Sequence, residues 1–243
     1  MDIAKGELLY EGKAKRLYAT ENPGELLMEF KDDLTAFDAV KKGQEQGKGA
    51  VNNRISALLM GALAEAGIES SFIRALDANH SLVRKVEIVP LEVIVRYEAH
   101  GSLCRRYGIE AGKVIDPPLV EIGYKNDELH DPFLSDEIAV LMGLASYEEI
   151  ARIRYMALVT GEKLREIYGA HGIKLLDFKL EFGRWQAPDG ATKIILADEV
   201  TPDTCRLVDA KTGEKLDKDL FRFDLGDVGE GYRKLLKKME GEQ

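Results

Sequence analysis

The chain has 243 residues and a formal net charge of −9, with 45% hydrophobic and 32% charged residues. These values are typical of a globular protein with a sizeable core, and the acidic balance argues against nucleic acid as a partner. No apolar run approaches the roughly 20 residues of a membrane span, and the N-terminus lacks the apolar core of a signal peptide. The two cysteines cannot make a disulfide framework. We therefore expect a cytoplasmic protein without a membrane partner.

The first eighty residues predict strands with one helix between them. Four segments have the composition of strands, at residues 8–20 (a hairpin), 26–31, 68–76 and 81–88. Gly12 lies near the bend of the hairpin. From Ala50, apolar residues recur at spacings of three and four, which predicts a helix that ends at Gly67.

The remainder of the chain mixes helices with strands. A strand is predicted from Leu91 to Arg96, directly after Pro90. Helices are predicted at residues 102–107, from about 146 to 169 and from about 228 to 239. Ser146 and Glu149 form a capping-box pair at the start of the second of these helices. Residues 202–206 predict a turn that leads into a further helix.

Charged and apolar residues alternate in Asp177-Phe-Lys-Leu-Glu-Phe-Gly183. This period of two is typical of a half-buried strand with its charges on one face. Pro188-Asp-Gly190 predicts a turn, and the apolar run from Lys193 to Ala197 predicts a second strand. If the hairpin is centred on that turn, the numbers of cross-strand partners sum to about 379, which places Glu181 opposite Asp198.

Directly opposed residues have Cβ atoms about 4.5–5.5 Å apart, so Glu181 and Asp198 would repel each other without a cation between them. Oxygen ligands suit Mg²⁺, which takes one or two carboxylates together with substrate phosphates. The pair therefore predicts a metal site between the protein and a nucleotide. The alternative is an exposed hairpin with scattered charges.

Cations and a glycine are concentrated in Tyr10-Glu-Gly-Lys-Ala-Lys-Arg-Leu-Tyr18. Gly12 lets a phosphate approach the backbone, and Lys13 and Lys15 point to one side of the predicted strand. These features predict a loop that folds over nucleotide phosphates. The segment lacks the Walker pattern, however, and a basic surface hairpin is at least as good an interpretation.

A second phosphate site is predicted farther along the chain. Gly101 and Ser102 begin a predicted helix, whose free N–H groups favour an anion. Arg96 on the preceding strand and Arg206 after the turn at residue 202 supply guanidinium groups, which match the geometry of a phosphate. The alternative for Ser102 is a simple N-cap.

Ten short segments, taken in order, give the chain a resemblance to one family. They are Tyr10–Lys15, Gly47–Asn53, Val83–Glu87, Pro90–Arg96, Gly101–Leu103, Tyr124–Asp127, Asp131–Pro132, Asp177–Gly183, Asp198–Glu199 and Pro202–Leu207. Over nearly its whole length the chain resembles the SAICAR synthetase (phosphoribosylaminoimidazole-succinocarboxamide synthase) family of purine biosynthesis. The resemblance implies an ATP-dependent ligation, in which carboxyaminoimidazole ribonucleotide (CAIR) and L-aspartate are joined through an amide, with ADP and phosphate as the other products.

The resemblance also implies roles for individual residues. They are, for ATP, Gly12, Lys13, Lys15 and Lys125; for Mg²⁺, Glu181 and Asp198; for the ribonucleotide phosphate, Arg96, Ser102 and Arg206; and for catalysis, Lys179 and Asp177. Lys179 would meet the carboxylate of the substrate, and Asp177 would bind a polar group of the substrate. The backbone of strand 91–95 would border the adenine.

The implied fold is α+β, with two lobes around a nucleotide cleft that is similar to the cleft of kinases or ATP-grasp enzymes. We predict a strand-rich N-terminal lobe, residues 1–82, that covers ATP. A C-terminal lobe, residues 83–243, would mix sheet and helix and carry the metal and substrate sites. No linker composition separates the lobes, and assembly into a homodimer is left open.

Three positions depart from the pattern of the family. Ala39 follows Phe37-Asp38 where the family usually has glycine, Tyr97-Glu-Ala-His100 replaces Asn-x-Ala-Ala, and Val208 stands where tryptophan is common. His100 neighbours the predicted phosphate site. It is either a spare hydrogen-bond donor or a packed imidazole, and we favour the second interpretation.

Two other functions are consistent with the same residues. A small-molecule kinase would use the same strand pair and Mg²⁺ but would stop after phosphoryl transfer. A nucleotide-sensing protein would bind without reaction, although binding alone does not need Lys179 beside the two carboxylates. The second phosphate site favours a phosphorylated co-substrate, and the ordered motifs favour the ligation.

Overall fold

The computed structural model describes residues 3–36 and 40–241, and the departure at Phe37-Asp38-Ala39 lies outside the described residues. In chain order the strands are β1 (Leu8–Glu11), β2 (Lys15–Ala19), β3 (Glu25–Phe30), β4 (Asp33–Ala36), β5 (Lys41–Gln44), β6 (Phe72–Ala75), β7 (His80–Arg84), β8 (Glu87–Ile88), β9 (Leu91–Glu98), β10 (Val114–Tyr124), β11 (Ile173–Gln186), β12 (Thr192–Ala197) and β13 (Cys205–Asp209). The α-helices are α1 (Lys48–Glu65), α2 (Ser102–Tyr107), α3 (Asp136–Leu141), α4 (Tyr147–Ala170), α5 (Asp219–Arg222) and α6 (Val228–Glu240), and a 3₁₀ helix spans Asp127–Leu129.

An antiparallel sheet of five strands, in the order β1-β2-β3-β7-β6, builds the N-terminal part of the fold. The predicted hairpin is confirmed as β1 and β2, with Gly12 in the bend between them. Helix α1 packs on this sheet. The predicted stop at Gly67 is also confirmed, because this residue follows the helix with a left-handed φ of 81°. The predicted lobe boundary between residues 82 and 83 falls inside β7, and the sheet continues to Arg84.

A second antiparallel sheet is centred on β11, a strand of 14 residues. Residues 177–180 of β11 pair with β9, whereas residues 181–186 pair with β12. Strand β13 borders the first half of β11, and β8 borders the second half. β11 therefore changes neighbours just after Leu180, and Lys179 and Glu181 on either side of this point line the cleft.

Helix α4 packs against the second sheet, on strands β9, β10 and β11. Its predicted capping box is confirmed, since Ser146 Oγ accepts a hydrogen bond from the Glu149 N–H and Glu149 Oε2 accepts one from the Ser146 N–H. The main hydrophobic core combines α1, α4 and the second sheet, whereas Met28, Phe30 and Val83 form a small core under the first sheet. The two lobes are therefore joined through α1.

The helix predicted after residues 202–206 is wrong. A turn closes with a hydrogen bond from the Thr204 N–H to the Thr201 carbonyl, and the chain then continues as strand β13, antiparallel to β11. The reason is that β11 offers this segment a backbone edge, and along the paired strand Cys205–Asp209 buried and half-buried residues alternate.

The predicted register of the carboxylate hairpin is wrong by one residue, because Glu181 faces Ala197. The loop holds three residues, 188–190, between Ala187 and Ala191, whose backbones are hydrogen-bonded. This loop length fixes the register. Asp198 then leaves the strand with a left-handed φ of 64°, so it does not oppose Glu181 directly.

The two thiols are unpaired, as the sequence predicts, with Cys205 buried and Cys104 half-buried. Burial raises the pKa of the Cys205 thiol to about 12, so it is not a thiolate at neutral pH. Within residues 3–36 and 40–241, no helix combines the length and the apolar composition needed to cross a membrane.

Candidate active site

Three adjoining cavities lie along the cleft between the two sheets, with volumes of about 360, 530 and 590 Å³. The smallest, the apolar cavity, is lined by Leu17, Leu26, Met28, Val83, Val86 and Ile88. The next, the central cavity, is lined by Lys13, Lys15, Lys125, Glu181, Asp198 and Glu199. The largest of the three, the arginine cavity, is lined by Arg96, Ser102, Arg105, Asp177, Arg206 and Arg222. The apolar and central cavities share Lys15 and Glu181, and the central and arginine cavities share Lys179. The three cavities therefore form one continuous cleft.

The apolar cavity has the lining expected around a flat aromatic ring. Leu17 and Met28 of the first sheet line it together with Val86 and Ile88, which lie in and beside β8. Residues 91–95, the strand predicted to border the adenine, are not among its described lining residues, and Glu92 of that strand lines the two polar cavities instead. A ring in this cavity would contact the segment from β7 to β8.

Each lysine predicted to bind ATP is paired with a carboxylate in the central cavity. The pairs are Lys13 with Asp127, Lys15 with Asp198 and Glu199, and Lys125 with Glu181. Gly12 also lines this cavity, directly before Lys13. A polyphosphate that enters the cavity would compete with these carboxylates for the same ammonium groups, so the lysines are placed to exchange one anion for another.

The predicted metal ligands, Glu181 and Asp198, both line the apolar and the central cavities. Burial by itself raises the pKa of Glu181, but the charges of Lys179, Lys15 and Lys125 outweigh burial and hold this pKa below its usual value. Among the described residues, no group of three or more His, Cys, Asp or Glu side chains surrounds a common metal position. Two carboxylates are nevertheless suited to Mg²⁺, which completes its coordination with phosphate oxygens and water. The residues present therefore match this ion when a nucleotide supplies the remaining ligands.

Lys179 stands at the junction of the central and arginine cavities. Its Nζ donates to Glu92 Oε1 at 2.5 Å and lies 3.8 Å from Glu181 Oε1. Burial by itself lowers the pKa of Lys179, but the carboxylates of Glu92 and Glu181 outweigh burial and raise it. The raised pKa keeps the ammonium group charged, and 33% of the side chain remains exposed in the cleft.

Asp177 on β11 lies directly between Arg96 on β9 and Arg206 on β13. Its Oδ2 accepts hydrogen bonds from Arg96 Nη1 at 3.1 Å and from Arg206 Nη1 at 2.5 Å. Ser102 Oγ accepts a third bond, from Arg96 Nη2 at 3.0 Å. The N-cap of α2 is Gly101, so the alternative of Ser102 as a simple N-cap is wrong. The three predicted phosphate ligands thus meet in the arginine cavity.

A second carboxylate holds Arg206 on its other side. Asp219 Oδ2 accepts from Arg206 Nε at 2.8 Å, and Asp219 Oδ1 accepts from Arg222 Nη1 at 2.9 Å. Burial by itself raises the pKa of Asp219, but the hydrogen bonds and charges of Arg206 and Arg222 outweigh burial and lower it to about 2. Gly101 leaves room for the guanidinium group, because a Cβ there would lie 2.8 Å from Arg206 Nη2. Its φ of 57° also favours glycine.

Several charged residues of the cleft were not predicted as site residues, among them Glu92, Glu199, Asp203 and Lys218. Glu199 follows a predicted metal ligand, and Glu92 lies in a predicted strand, so a sequence signal existed for these two. Lys218 carries no such signal, because it reaches the cleft only through the packing of the segment before α5.

His100 is not among the described residues that line the arginine cavity. Its Nε2 lies 3.4 Å from Glu98 Oε2, and Glu98 also pairs with Lys174. Burial lowers the pKa of His100, although the hydrogen bond with Glu98 opposes this change. The favoured interpretation of His100 as a packed imidazole agrees with this geometry.

A ring-sized apolar cavity, a centre of lysines and carboxylates and an arginine-lined cavity define an enzyme that brings a nucleotide next to a second anionic substrate. The SAICAR synthetase family model matches residues 8–239 of the chain. The phosphoribosylaminoimidazole-succinocarboxamide synthase of Persephonella marina is 51% identical over 238 residues, which cover 98% of each chain. The chain therefore belongs to the SAICAR synthetase family, and the resemblance found in the sequence is confirmed.

Solved structures agree with this assignment and with the α+β fold. The phosphoribosylaminoimidazole-succinocarboxamide synthase of Ehrlichia chaffeensis superposes with a TM-score of 0.93 at 42% identity, covering 96% of this chain and 98% of that one. A SAICAR synthetase in complex with ADP superposes with a TM-score of 0.91 at 45% identity, covering 98% and 99%. The description as two lobes is consistent with these matches.

Proposed function

We propose that this protein joins L-aspartate to the carboxylate of CAIR in an ATP-dependent ligation, with SAICAR, ADP and phosphate as products of a step in purine biosynthesis. The observation that carries the proposal is the order of the cleft, in which Lys179 stands between the central and the arginine cavities. A reaction that moves a phosphoryl group from ATP to a carboxylate of a phosphorylated substrate needs this order of sites.

The chemistry explains why the residues have these types. A carboxylate is a poor electrophile, and transfer of the γ-phosphoryl group of ATP to one of its oxygens makes that oxygen a leaving group. Two anions must approach each other during the transfer, so fixed cations are required where charge develops. Lys179 would offset that charge from its position 3.8 Å from Glu181, beside the central cavity.

For ATP, we place the adenine in the apolar cavity and the phosphates along Gly12, Lys13, Lys15 and Lys125 in the central cavity. Glu181 and Asp198 would hold Mg²⁺ at the boundary of these two cavities. When bound, Mg²⁺ supplies positive charge to the phosphate oxygens. When ATP binds, the lysines would pair with its phosphates in place of the carboxylates. The buried lysine charges in this part of the cleft would therefore stay compensated.

For CAIR, we place the 5′-phosphate against Arg96, Ser102 and Arg206 and the carboxylate beside Lys179. Asp177 holds the two guanidinium groups at a fixed spacing, and bidentate guanidinium groups match phosphate geometry. Both of these hydrogen bonds use Oδ2 of Asp177. Oδ1 is therefore the atom that we assign to a polar group of CAIR.

The deciding experiment measures ADP release with CAIR, ATP and Mg²⁺ in the presence and the absence of L-aspartate, together with formation of SAICAR. The ligase hypothesis expects ADP and SAICAR in equal amounts, both dependent on aspartate. ADP release at full rate without aspartate would favour the small-molecule kinase. Binding of ATP without ADP release under any of these conditions would favour the nucleotide-sensing protein.

We infer a cytoplasmic setting from the two unpaired cysteines and the metabolic family. Light scattering across a range of concentrations tests the homodimer, which stays a prediction. The lobe division at residues 82–83 also stays a prediction. Because β7 crosses it, limited proteolysis should cut outside residues 80–84 if the first sheet is a folding unit.

A further inference from the structure

Lys218 is a nearly buried lysine to which the roles proposed above give no function. It directly precedes α5, and its side chain is only 12% exposed. The same side chain lines both the central and the arginine cavities, as Lys179 does. Lys218 therefore lies in the part of the cleft where the phosphorylated carboxylate would form.

Lys218 is held near a carboxylate without a tight ion pair. Among the described residues, its nearest carboxylate oxygen is Asp203 Oδ1, at 3.6 Å from Nζ, which is beyond hydrogen-bond distance. Asp203 is committed to other donors, namely Lys48 Nζ at 2.7 Å, Asn52 Nδ2 at 2.8 Å and the Tyr232 hydroxyl at 2.8 Å. The amine of Lys218 is thus available to a substrate.

The surroundings of Lys218 favour its neutral form. Charged side chains face it from each element packed around it: Asp203 from the turn before β13, Lys48 from α1, Arg222 from α5 and Lys179 from β11. Burial, followed by the three cations, outweighs the attraction of Asp203 and lowers the pKa of Lys218. A neutral lysine amine is a proton acceptor.

The ligation needs such an acceptor, because the amino group of aspartate arrives as an ammonium ion without a lone pair. The carboxylates nearby are weak bases. The charges of Lys179, Lys15 and Lys125 outweigh the burial of Glu181 and lower its pKa, and Glu92 is bonded to Lys179. An efficient general base has a pKa near the working pH. The lowered pKa of a buried lysine among cations lies closer to that pH than the lowered pKa of an ion-paired carboxylate.

We propose that Lys218 is the general base that frees the amine of L-aspartate for attack on the activated carboxylate of CAIR. This inference rests on the proposed function. Neutral Nζ takes one proton from the ammonium group, and the lone pair of the nitrogen forms the C–N bond. The C–O bond to the phosphoryl group breaks and its electron pair leaves with the phosphate. The second N–H proton departs with that phosphate, and Lys218 returns its own proton to water in the cleft.

The test uses Lys218→Arg and Lys218→Ala in the full-length protein, with Lys211→Arg at an exposed lysine as the matched control. Arginine keeps the positive charge but stays protonated, so it cannot act as a base. General-base catalysis is typically worth about 10²–10⁴-fold, so kcat should fall at least about 100-fold in both Lys218 variants. ATP binding by calorimetry should remain near the wild-type value, which shows that the variants are folded. Lys211→Arg should keep the wild-type kcat.

Small primary amines provide a readout that a structural role would not change. Added methylamine or 2-fluoroethylamine should restore turnover to Lys218→Ala, and the alkaline rise of kcat with pH should follow the pKa of the added amine. If Lys218 only attracts a carboxylate of the substrate, Lys218→Arg keeps most of its kcat, Lys218→Ala has a raised KM for aspartate, and amines restore nothing. That result overturns the inference about Lys218 and leaves the ligase proposal intact. The ligase proposal itself is overturned if the wild-type protein shows no aspartate-dependent ADP release.

Discussion

Lys179 Nζ and Glu92 Oε1 lie 2.5 Å apart, on the neighbouring strands β11 and β9. Glu92 is two residues from Ile94, the register partner of Lys179, so both charged side chains project from the same face of the sheet. The pair fixes the ammonium group at the junction of the central and arginine cavities. The position of the Lys179 ammonium group thus depends on a carboxylate that was not identified from the sequence.

Lys179→Met should lower kcat by at least about 100-fold, because it removes a cation placed where charge develops in the transition state. ATP affinity should change little, since Lys13, Lys15 and Lys125 remain. Steady-state kinetics at saturating Mg²⁺ measure kcat, and calorimetry measures ATP binding. Lys163→Met, at a surface lysine paired with Glu166, is the control and should keep normal turnover. Retention of saturated turnover with a lower melting temperature would mean that Lys179 only neutralises its acidic neighbours.

Glu181→Gln and Asp198→Asn should each abolish turnover or shift it to much higher Mg²⁺ concentrations. Each change removes one charged oxygen ligand while it keeps the shape of the side chain. Titration of activity with Mg²⁺, together with the melting temperature, measures the effect. Asp189→Asn in the exposed hairpin loop is the control and should behave as wild type. An unchanged Mg²⁺ requirement in both site variants would remove the metal assignment.

Arg206→Ala should weaken binding of the ribonucleotide while ATP binding stays intact. A hydrogen bond to a charged group is worth roughly 1.5–3 kcal/mol, which corresponds to about ten- to a hundredfold in affinity. Separate calorimetric titrations with CAIR and with ATP distinguish the two ligands. Arg233→Ala on the outer face of α6, with half of its side chain exposed, is the control. An ATP defect of the same size in Arg206→Ala would place this arginine on the other substrate.

Asp217 should make folding stability fall as pH rises from about 4 to about 6. Its oxygens accept the N–H groups of Leu207 and Asp219, each at 2.6 Å. Burial, then the adjacent carboxylate of Asp219, raises the pKa of Asp217 to about 6. The native state thus binds this proton more tightly than the unfolded chain does, and the resulting stabilisation is complete below about pH 4 and lost as pH passes about 6.

Urea unfolding of the wild type and of Asp217→Asn at several pH values isolates this group from the other carboxylates. The wild-type free energy of unfolding, minus that of the variant, should decrease by roughly 2–3 kcal/mol between pH 4 and pH 7, since one pKa unit corresponds to about 1.4 kcal/mol. A difference that stays constant with pH would show that Asp217 titrates normally. Asp189→Asn again serves as the control.

Local signals in the sequence were enough to predict most of the secondary structure. The capping box at Ser146 and the left-handed glycines after α1 and α2 mark helix ends, because each signal depends only on residues close in the chain. The alternation of charged and apolar residues around Lys179 predicted strand β11 for the same reason. Strand β10 was not predicted, since adjacent prolines at 117 and 118 interrupt the pattern of a strand.

Short segments with weak patterns were decided by their neighbours. Residues 205–209 became a strand because β11 offers them a free edge, and the residues before them have the composition of a turn into a helix. The register of the carboxylate hairpin depended on one residue of loop length, which composition does not specify. Asp198 consequently lies beyond the strand and not opposite Glu181.

The sequence by itself determined the family, and through its motifs the residues that meet in the cleft, because ordered motifs over nearly the whole chain are specific even where each one is not. Only the tertiary structure decided which charges are paired. Glu92 meets Lys179, Asp219 holds Arg206, and Lys218 reaches the junction of two cavities without a tight partner. Burial and neighbouring charges set the protonation of such groups, and both depend on the packing of segments that are far apart in the chain.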